Sequence, residues 1–323
     1  METLYDAVII GAGLAGISAA EELIEAKKRV LLIDKGRSVG GRLATRRIGS
    51  GKADHGAQFF TVRSERLQEK VDEWLEKGWV KKWFGEDHPR YMAIEGMNHL
   101  AKQLSKGMDI KLNTQVTALE SIEEGWLIQP IGIKAKAVIL TAPAPQSADL
   151  LKNSELENLQ GFKRLDDIKF HTCLVLLAEM KHSPKWNETG FLKENLAGGV
   201  DRMVNHMTKG MSDKPILTVY MTAEWSNQHF NEDDEEIVEQ IIKKTESSID
   251  RADIQSVQLK RWKYSEAKHL YRQPFLTIGD DDSLFVSGDA FLFPDDQGGS
   301  RVESAFLSGK AAGEKIKQSQ KAE

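Results

Sequence analysis

The sequence predicts an α/β fold: a parallel-sheet dinucleotide-binding domain built from separate stretches of chain, with an inserted α+β domain on a mainly antiparallel sheet. Three observations predict it. A G-x-G-x-x-G turn, Gly11-Ala12-Gly13-Leu14-Ala15-Gly16, follows the apolar run Ala7–Ile10 and opens a helix-like segment. A second apolar run, Arg29–Ile33, ends on the carboxylate of Asp34. Near the end of the chain a short apolar run, Leu284–Ser287, and a helical stretch from Arg301 to about Lys317 return to the pattern of the start.

The elements follow in order. Ala7–Ile10 is apolar without alternation, as a parallel strand covered on both faces requires. Ile17–Lys28 places Ile17, Ala20, Leu23 and Ile24 on one helical stripe. With Arg29–Ile33 it completes a βαβ unit of about 30 residues. Gly36–Lys52, rich in Gly and Arg, reads as an extended loop. Ser64–Trp83 reads as helix, and so does Gly96–Lys106. Strands are predicted at Ile110–Leu119, Trp126–Pro130 and Ala135–Thr141, with Pro143 and Pro145 as a linker.

The stretch from Gln146 to Gln273 differs in character. Phe170–Met180, Ile216–Trp225 and Ser256–Tyr264 read as strands. Asn231–Asp250 reads as a helix capped by Asn231, with acidic residues in its first turn. The resulting division gives residues 1–62, 96–145 and 276–323 to the dinucleotide domain, and 63–95 and 146–275 to the substrate domain.

Composition bounds the function. The 323 residues suggest about two domains. A net charge of -5 disfavours a nucleic-acid binder. The single cysteine, Cys173, excludes an intrachain disulfide framework and an all-cysteine metal site. The first 26 residues contain no Lys or Arg, and no apolar run reaches the ~18 residues of a membrane span. A cytoplasmic protein without membrane or metal partners is expected. The histidines include no pair at three- to five-residue spacing, and no G-x-S-x-G elbow occurs.

The glycine turn gives the chain its first chemistry. Gly11 permits the tight turn, Gly13 lets the backbone approach a pyrophosphate, and Gly16 lets helix and strand pack closely. Ala12, Leu14 and Ala15 present the free N–H groups of the helix start to the phosphates. Asp34, 18 residues after Gly16, is placed for ribose hydroxyls and disfavours a 2′-phosphate. Three features point to FAD among the dinucleotides. In Gly40-Gly41-Arg42, Arg42 can pair with pyrophosphate oxygens. Gly288-Asp289 brings a carboxylate to a ribityl or ribose hydroxyl. Ser300-Arg301-Val302-Glu303 reads as a capping box whose helix start could face the flavin N1–C2=O edge.

The stretches 11–16, Asp34-Lys35, Val39–Arg47 and Asp54-His55-Gly56-Ala57-Gln58-Phe59-Phe60-Thr61 resemble the renalase-like flavoproteins, the short branch of the flavin amine oxidase superfamily. Gly288-Asp289, Arg301–Ala305 and Arg261-Trp262-Lys263-Tyr264 resemble them too. The resemblance implies non-covalent FAD. It places Lys35, Gly41 and Gly56 in the cofactor site, the Val116 backbone against the adenine, and Ala57, Gln58 and Phe59 against the isoalloxazine. It also implies oxidation of the 2- and 6-dihydro isomers of NAD(P)H: a hydride passes to flavin N5, and O2 reoxidises the flavin with release of hydrogen peroxide.

Flavin chemistry asks little of side chains, so no catalytic residue is singled out. Alternation puts Trp262 and Tyr264 on one face, opposite Lys263, where they would stack on a planar substrate, form part of a cage, or simply pack in the sheet. His55, Gln58 and Phe59 complete the expected substrate pocket. An oxidase acting on a small amine and a flavin-binding protein without turnover are the alternatives. An NAD-dependent dehydrogenase accounts for the first motif only.

Overall fold

The computed structural model describes residues 4–296 and 298–320. Gln297, in the expected loop before the last helix, and the outermost residues of the expected dinucleotide domain lie outside the described residues.

The chain starts as predicted, with longer elements. β1 (Leu4–Ile10) leads into α1 (Leu14–Glu25), which begins directly after Gly13, and then β2 (Val30–Ile33). The expected loop at 36–52 contains instead a hairpin, β3 (Thr45–Ile48) and β4 (Gly51–Asp54). Its positive-φ Gly49 makes the tight turn. The expected helix 64–83 is α2 (Glu65–Glu76), capped by Ser64; the chain then turns into a second hairpin, β5 (Val80–Phe84) and β6 (Arg90–Ala93). α3 (Met97–Leu104) and β7 (Ile110–Lys111) follow. Residues 112–117 are not strand, so Val116 lies in the link to β8 (Ala118–Ile122). β9 (Gly125–Gln129) and β10 (Ile133–Leu140) come next.

Pro143 and Pro145 form no linker. They open α4 (Ala144–Asn153), where a missing N–H costs nothing because first-turn donors have no helical partner. β11 (Phe170–Met180) agrees with expectation. β12 (Phe191–Leu192) and β13 (Val200–Asn205) were not expected. The run 216–225 splits into β14 (Ile216–Met221) and α5 (Ala223–His229), because Thr222 caps a helix there. Asp233, not Asn231, is the N-cap residue of α6 (Asp234–Thr245). β15 (Ile254–Ala267), β16 (Leu276–Thr277), β17 (Leu284–Val286) and α7 (Val302–Ser319) complete the chain.

An eight-stranded sheet has the order β16-β17-β10-β1-β2-β7, with the β8–β9 hairpin attached to β10. The central pairings β17·β10, β10·β1, β1·β2 and β2·β7 are parallel. Alternation in β1 sends Ile9 into a core beneath α1, α2, α3 and α7, and Val8 into a core beneath the β8–β9 hairpin and α4. Both ends of the chain therefore build one layer. α7 crosses α1 so closely that a Cβ on Gly309 would lie 2.0 Å from the Ala15 carbonyl oxygen. Parts of 63–95 and 146–275 also reach these cores: Leu67 and Trp74 of α2 enter the first, and Ala148 and Leu151 of α4 enter the second.

A second sheet, β12-β13-β14-β11-β15, is antiparallel throughout. One face carries Leu174, Leu176 and Leu217 against α5 and α6. On the other, Leu177 and Ile216 pack on Ile48 and Ala53 of the β3–β4 hairpin. That hairpin joins the two sheets, and the candidate site lies beside it.

Candidate functional site

The glycine turn sits at the carboxyl ends of β1, β2 and β10, where open α/β sheets bind ligands. Gly11 has φ +114°, and a Cβ there would lie 2.4 Å from Thr141 Oγ1. A Cβ on Gly16 would lie 2.0 Å from the Gly11 oxygen. Both glycines are required by packing alone. Gly13 is different: a Cβ there meets no protein atom within 4 Å. Backbone of ordinary φ (-76°) thus borders open space at the N-terminus of α1, and Gly41 lies against Gly13 from the far side. This cradle suits a pyrophosphate. Asp34 draws its rim together, accepting from Ala12 N at 2.7 Å and Gly36 N at 2.6 Å. Lys35 reaches Gln146 Oε1 at 3.3 Å.

Other expected cofactor residues hold one another. The Arg42 guanidinium forks onto the Asp289 carboxylate, which also accepts from Ser300 Oγ. Gly288 N donates to Ser308 Oγ at 2.9 Å. The capping box is shifted by one residue: α7 begins at Val302, and Arg301 N donates to Ser304 Oγ at 2.8 Å. Glu303 takes Arg63 N, Ser64 N and Ser64 Oγ on one oxygen, securing the start of α2, while its other oxygen lies 3.9 Å from Arg301 Nε. Arg301 pairs with Asp296, yet its Nε and Nη1 are buried without a hydrogen-bond acceptor, as is the Ser287 hydroxyl at the carboxyl end of β17. Buried donors without acceptors are costly. They fit the anionic, hydroxyl-rich FAD.

The segment following the hairpin is fixed by a buried polar network. Lys209 and Asp54 are fully buried and paired at 3.1 Å. The ammonium also donates to the Gln58 carbonyl at 2.8 Å and to Gln58 Oε1 at 2.9 Å, which uses all three of its protons. Gln58 Nε2 donates to the Asp54 carbonyl and the Tyr220 hydroxyl, each at 2.6 Å, and that hydroxyl donates to the Gly56 carbonyl at 2.8 Å. Asp54 Oδ1 accepts from Thr45 Oγ1 and Met97 N. Burial pulls the Lys209 pKa below its ordinary value, and Asp54 opposes the shift. The Gln58 side chain therefore belongs to this network and does not line a pocket wall. Phe59 packs edge-on against Trp83, Phe84 and Phe191. Gly56 crosses the Arg42 backbone where a Cβ would lie 1.9 Å from its oxygen. Ala57 N bonds the same oxygen at 3.0 Å.

The remaining pocket residues separate. Trp262 lies opposite Cys173, stacks on His55 with centroids 5.4 Å apart, and donates its indole N–H to the His55 carbonyl at 2.7 Å. Tyr264 stands edge-on to Phe170 at 6.0 Å. The two aromatics therefore form no parallel pair. Cys173 is buried beside Val175, Tyr220 and Trp262, and burial pushes its thiol up to about 11.

Burial, then the charges of Lys260 and Arg46, lower the His55 pKa to about 4. The folded state thus binds fewer protons than the unfolded chain between about pH 4 and the usual ~6.5. This share of stability is complete above that window and is lost as pH falls through it. His55→Gln should flatten the loss, read as a smaller difference between urea midpoints at about pH 7 and about pH 5. An unchanged difference would contradict the assignment. His206, fully buried, shifts in the same direction and adds to the slope.

Sequence reading missed Lys209 and Tyr220. In Asn205–Gly210 a lysine beside turn residues looks solvated, and in Ile216–Met221 a tyrosine looks like an ordinary strand residue. Only the sheet register brings them under the hairpin.

Residues 9–74 match the NAD(P)-binding Rossmann-like domain, and residues 79–316 match the flavin containing amine oxidoreductases. The chain belongs to the flavin containing amine oxidoreductase family. It is an FAD-dependent oxidoreductase. Over 43 residues it is 44% identical to the (S)-6-hydroxynicotine oxidase of Paenarthrobacter nicotinovorans, a stretch covering 13% of this chain and 10% of that protein. Its fold is similar to that of cyclohexylamine oxidase from Brevibacterium oxydans IH-35A (TM-score 0.71, 13% identity, 98% of this chain and 99% of that one). Similar too are putrescine oxidase bound to putrescine (0.68, 14%, 98% and 99%) and a CLA-producing fatty acid isomerase from P. acnes (0.67, 12%, 95% and 97%). An isomerase among these neighbours shows that the shared fold does not fix the reaction. Among the described residues no helix is long and apolar enough to cross a membrane.

Proposed function

We propose that this protein is a renalase-like cytoplasmic oxidase of isomeric (2- or 6-dihydro) NAD(P)H. FAD would be held without a covalent link along the Gly11–Gly16 turn and Asp34, near Arg42, Asp289 and Arg301, with the Val116 backbone toward the adenine. Bound FAD supplies the acceptor for a hydride and passes the electron pair to O2. The balance is one dihydronicotinamide, one proton and O2 in, and NAD(P)+ and hydrogen peroxide out.

The observation that carries this reading is the stack of Trp262 on a neutral His55. Trp262 is only partly buried, and its uncovered aromatic surface would take a planar ring. A dihydropyridine needs no side-chain base, because loss of a hydride restores its aromatic ring. The Cys173 thiol, raised by burial, stays protonated near neutral pH and offers no nucleophile. The Lys209–Asp54–Gln58 network would hold the Gly56–Ala57 backbone in place as substrate arrives.

The family name and the likeness to cyclohexylamine and putrescine oxidases favour a second reading, oxidation of a small amine. Against it stands the placing of the two aromatics: Tyr264 is edge-on to Phe170, and the ring stacked on Trp262 is that of His55, so Trp262 and Tyr264 form no facing pair around an amine. Anaerobic mixing of the holoenzyme separates the two. Loss of the visible flavin band is expected with 2- or 6-dihydronicotinamide dinucleotides and not with simple amines. Bleaching by amines alone would establish the second reading, and bleaching by neither would leave a flavin-binding protein without turnover on these substrates.

A further inference from the structure

The β3–β4 hairpin and the second sheet meet along a seam whose contents follow from register. In the hairpin Arg46 pairs with Ala53, and the next rung joins Ala44 to His55. Cross-strand partners share a face, so Arg46 and His55 point the same way as Ile48 and Ala53, toward the second sheet. On that sheet Gln258 stands opposite Leu177, Lys260 opposite Val175 and Trp262 opposite Cys173, all on the face that meets the hairpin. The His55–Trp262 stack shows the two rows in contact. Arg46 and Lys260 are therefore brought together from facing layers, both partly buried.

No carboxylate lies within ion-pair distance of either among the described residues. Asp234, the acidic group that acts on Lys260, is bonded to Arg261. Burial and then the charge of Arg46 hold the Lys260 ammonium below its ordinary range, and Arg37 adds to this. Two buried polar atoms without partners lie on the same seam, His55 Nδ1 and Gln258 Oε1. Two partly buried cations without an ion-pair partner repel each other there, beside unpaired polar groups. An anion between them removes the repulsion, and an arginine fork with a lysine point charge is chemistry suited to phosphate oxygens.

We propose that Arg46 and Lys260, beside His55 and Gln258, form a subsite for phosphate oxygens of the substrate, next to the Trp262 shelf. The substrate class is then a phosphorylated, nucleotide-like aromatic; a cationic amine would be repelled. This rests on the reading of the Trp262 shelf as the substrate face.

The test uses the holoenzyme and inorganic pyrophosphate at low ionic strength, read by the flavin band and tryptophan fluorescence. Saturable binding is expected. Arg46→Gln and Lys260→Gln should each weaken it about tenfold or more, the double variant should abolish it, and Lys260→Arg should retain it. FAD content reports that each variant is folded. No saturable binding to the wild type, or equal binding to wild type and variants, overturns the subsite. A second arm compares dihydronicotinamide mononucleotide with the riboside that lacks the phosphate: the variants should raise KM for the first about tenfold and leave the second unaltered. Pyrophosphate binding lost in the variants, with no flavin reduction by either compound, keeps the subsite and defeats the dihydronicotinamide reading. Reduction by both compounds with pyrophosphate binding insensitive to the substitutions does the reverse.

Discussion

Lys209→Met is expected to destabilise the folded protein by about 3–5 kcal/mol, the usual cost of breaking a buried ion pair from one side. Methionine fills much of the same volume, so the loss is electrostatic more than steric. Three acceptors are left without their donor: Asp54 Oδ2, the Gln58 carbonyl and Gln58 Oε1. Water cannot replace it cheaply, since both charged side chains are fully buried. Against a typical total of about 5–15 kcal/mol, such a loss brings the chain near its unfolding threshold. Asp54→Asn in the same background removes the stranded charge, so the double variant should be more stable than the summed single effects by about 1 kcal/mol or more. Urea unfolding of the three variants checks this, and strict additivity would show that the pair does not act as a unit. Holding of FAD should weaken in parallel, because Gly56 and Ala57 lie within the segment these bonds fix.

Much of the first layer was legible because its signals are local. The apolar run of β1, the three glycines and Asp34 each carry their own physical reason: Gly11 proves to be required by its positive φ and the Thr141 hydroxyl 2.4 Å from where its Cβ would stand, and Gly16 by the Gly11 oxygen at 2.0 Å. The hairpin at 45–54 was not legible. Its residues Thr45-Arg46-Arg47-Ile48 look solvated, and only Ile48 enters a core. The break after Glu76 was hidden because Trp79, Val80 and Trp83 continue an apolar rhythm that a helix would also show. Pro143 and Pro145 look like a linker in the sequence because proline stops a helix in mid-course, whereas at a helix start it costs little. Within the site, Trp262 could be placed on a face by alternation, but not against His55, which is about 200 residues away and joined to it only by packing. Lys209 and the seam between Arg46 and Lys260 depend on the same long-range register.

Gly13 offers the clearest separation of cofactor from fold. Its backbone is extended, and an added methyl meets no protein atom within 4 Å. Gly13→Ala should therefore change unfolding free energy by no more than about 0.5 kcal/mol, as at an unconstrained surface position. At Gly16 the same change would drive a Cβ into the Gly11 oxygen, 2.0 Å away, so that variant reports damage to the turn itself. If FAD lies along this turn, its pyrophosphate occupies the space the Gly13 methyl would enter. The overpacking cost of about 1–3 kcal/mol then appears in binding, as a rise in FAD Kd of about ten- to a hundredfold. Titration of FAD into apoprotein, wild type beside Gly13→Ala, is the measurement that bears most directly on the site. A weakened Kd at unchanged fold stability is the predicted result, and equal affinity in the two proteins would mean that the pyrophosphate lies elsewhere.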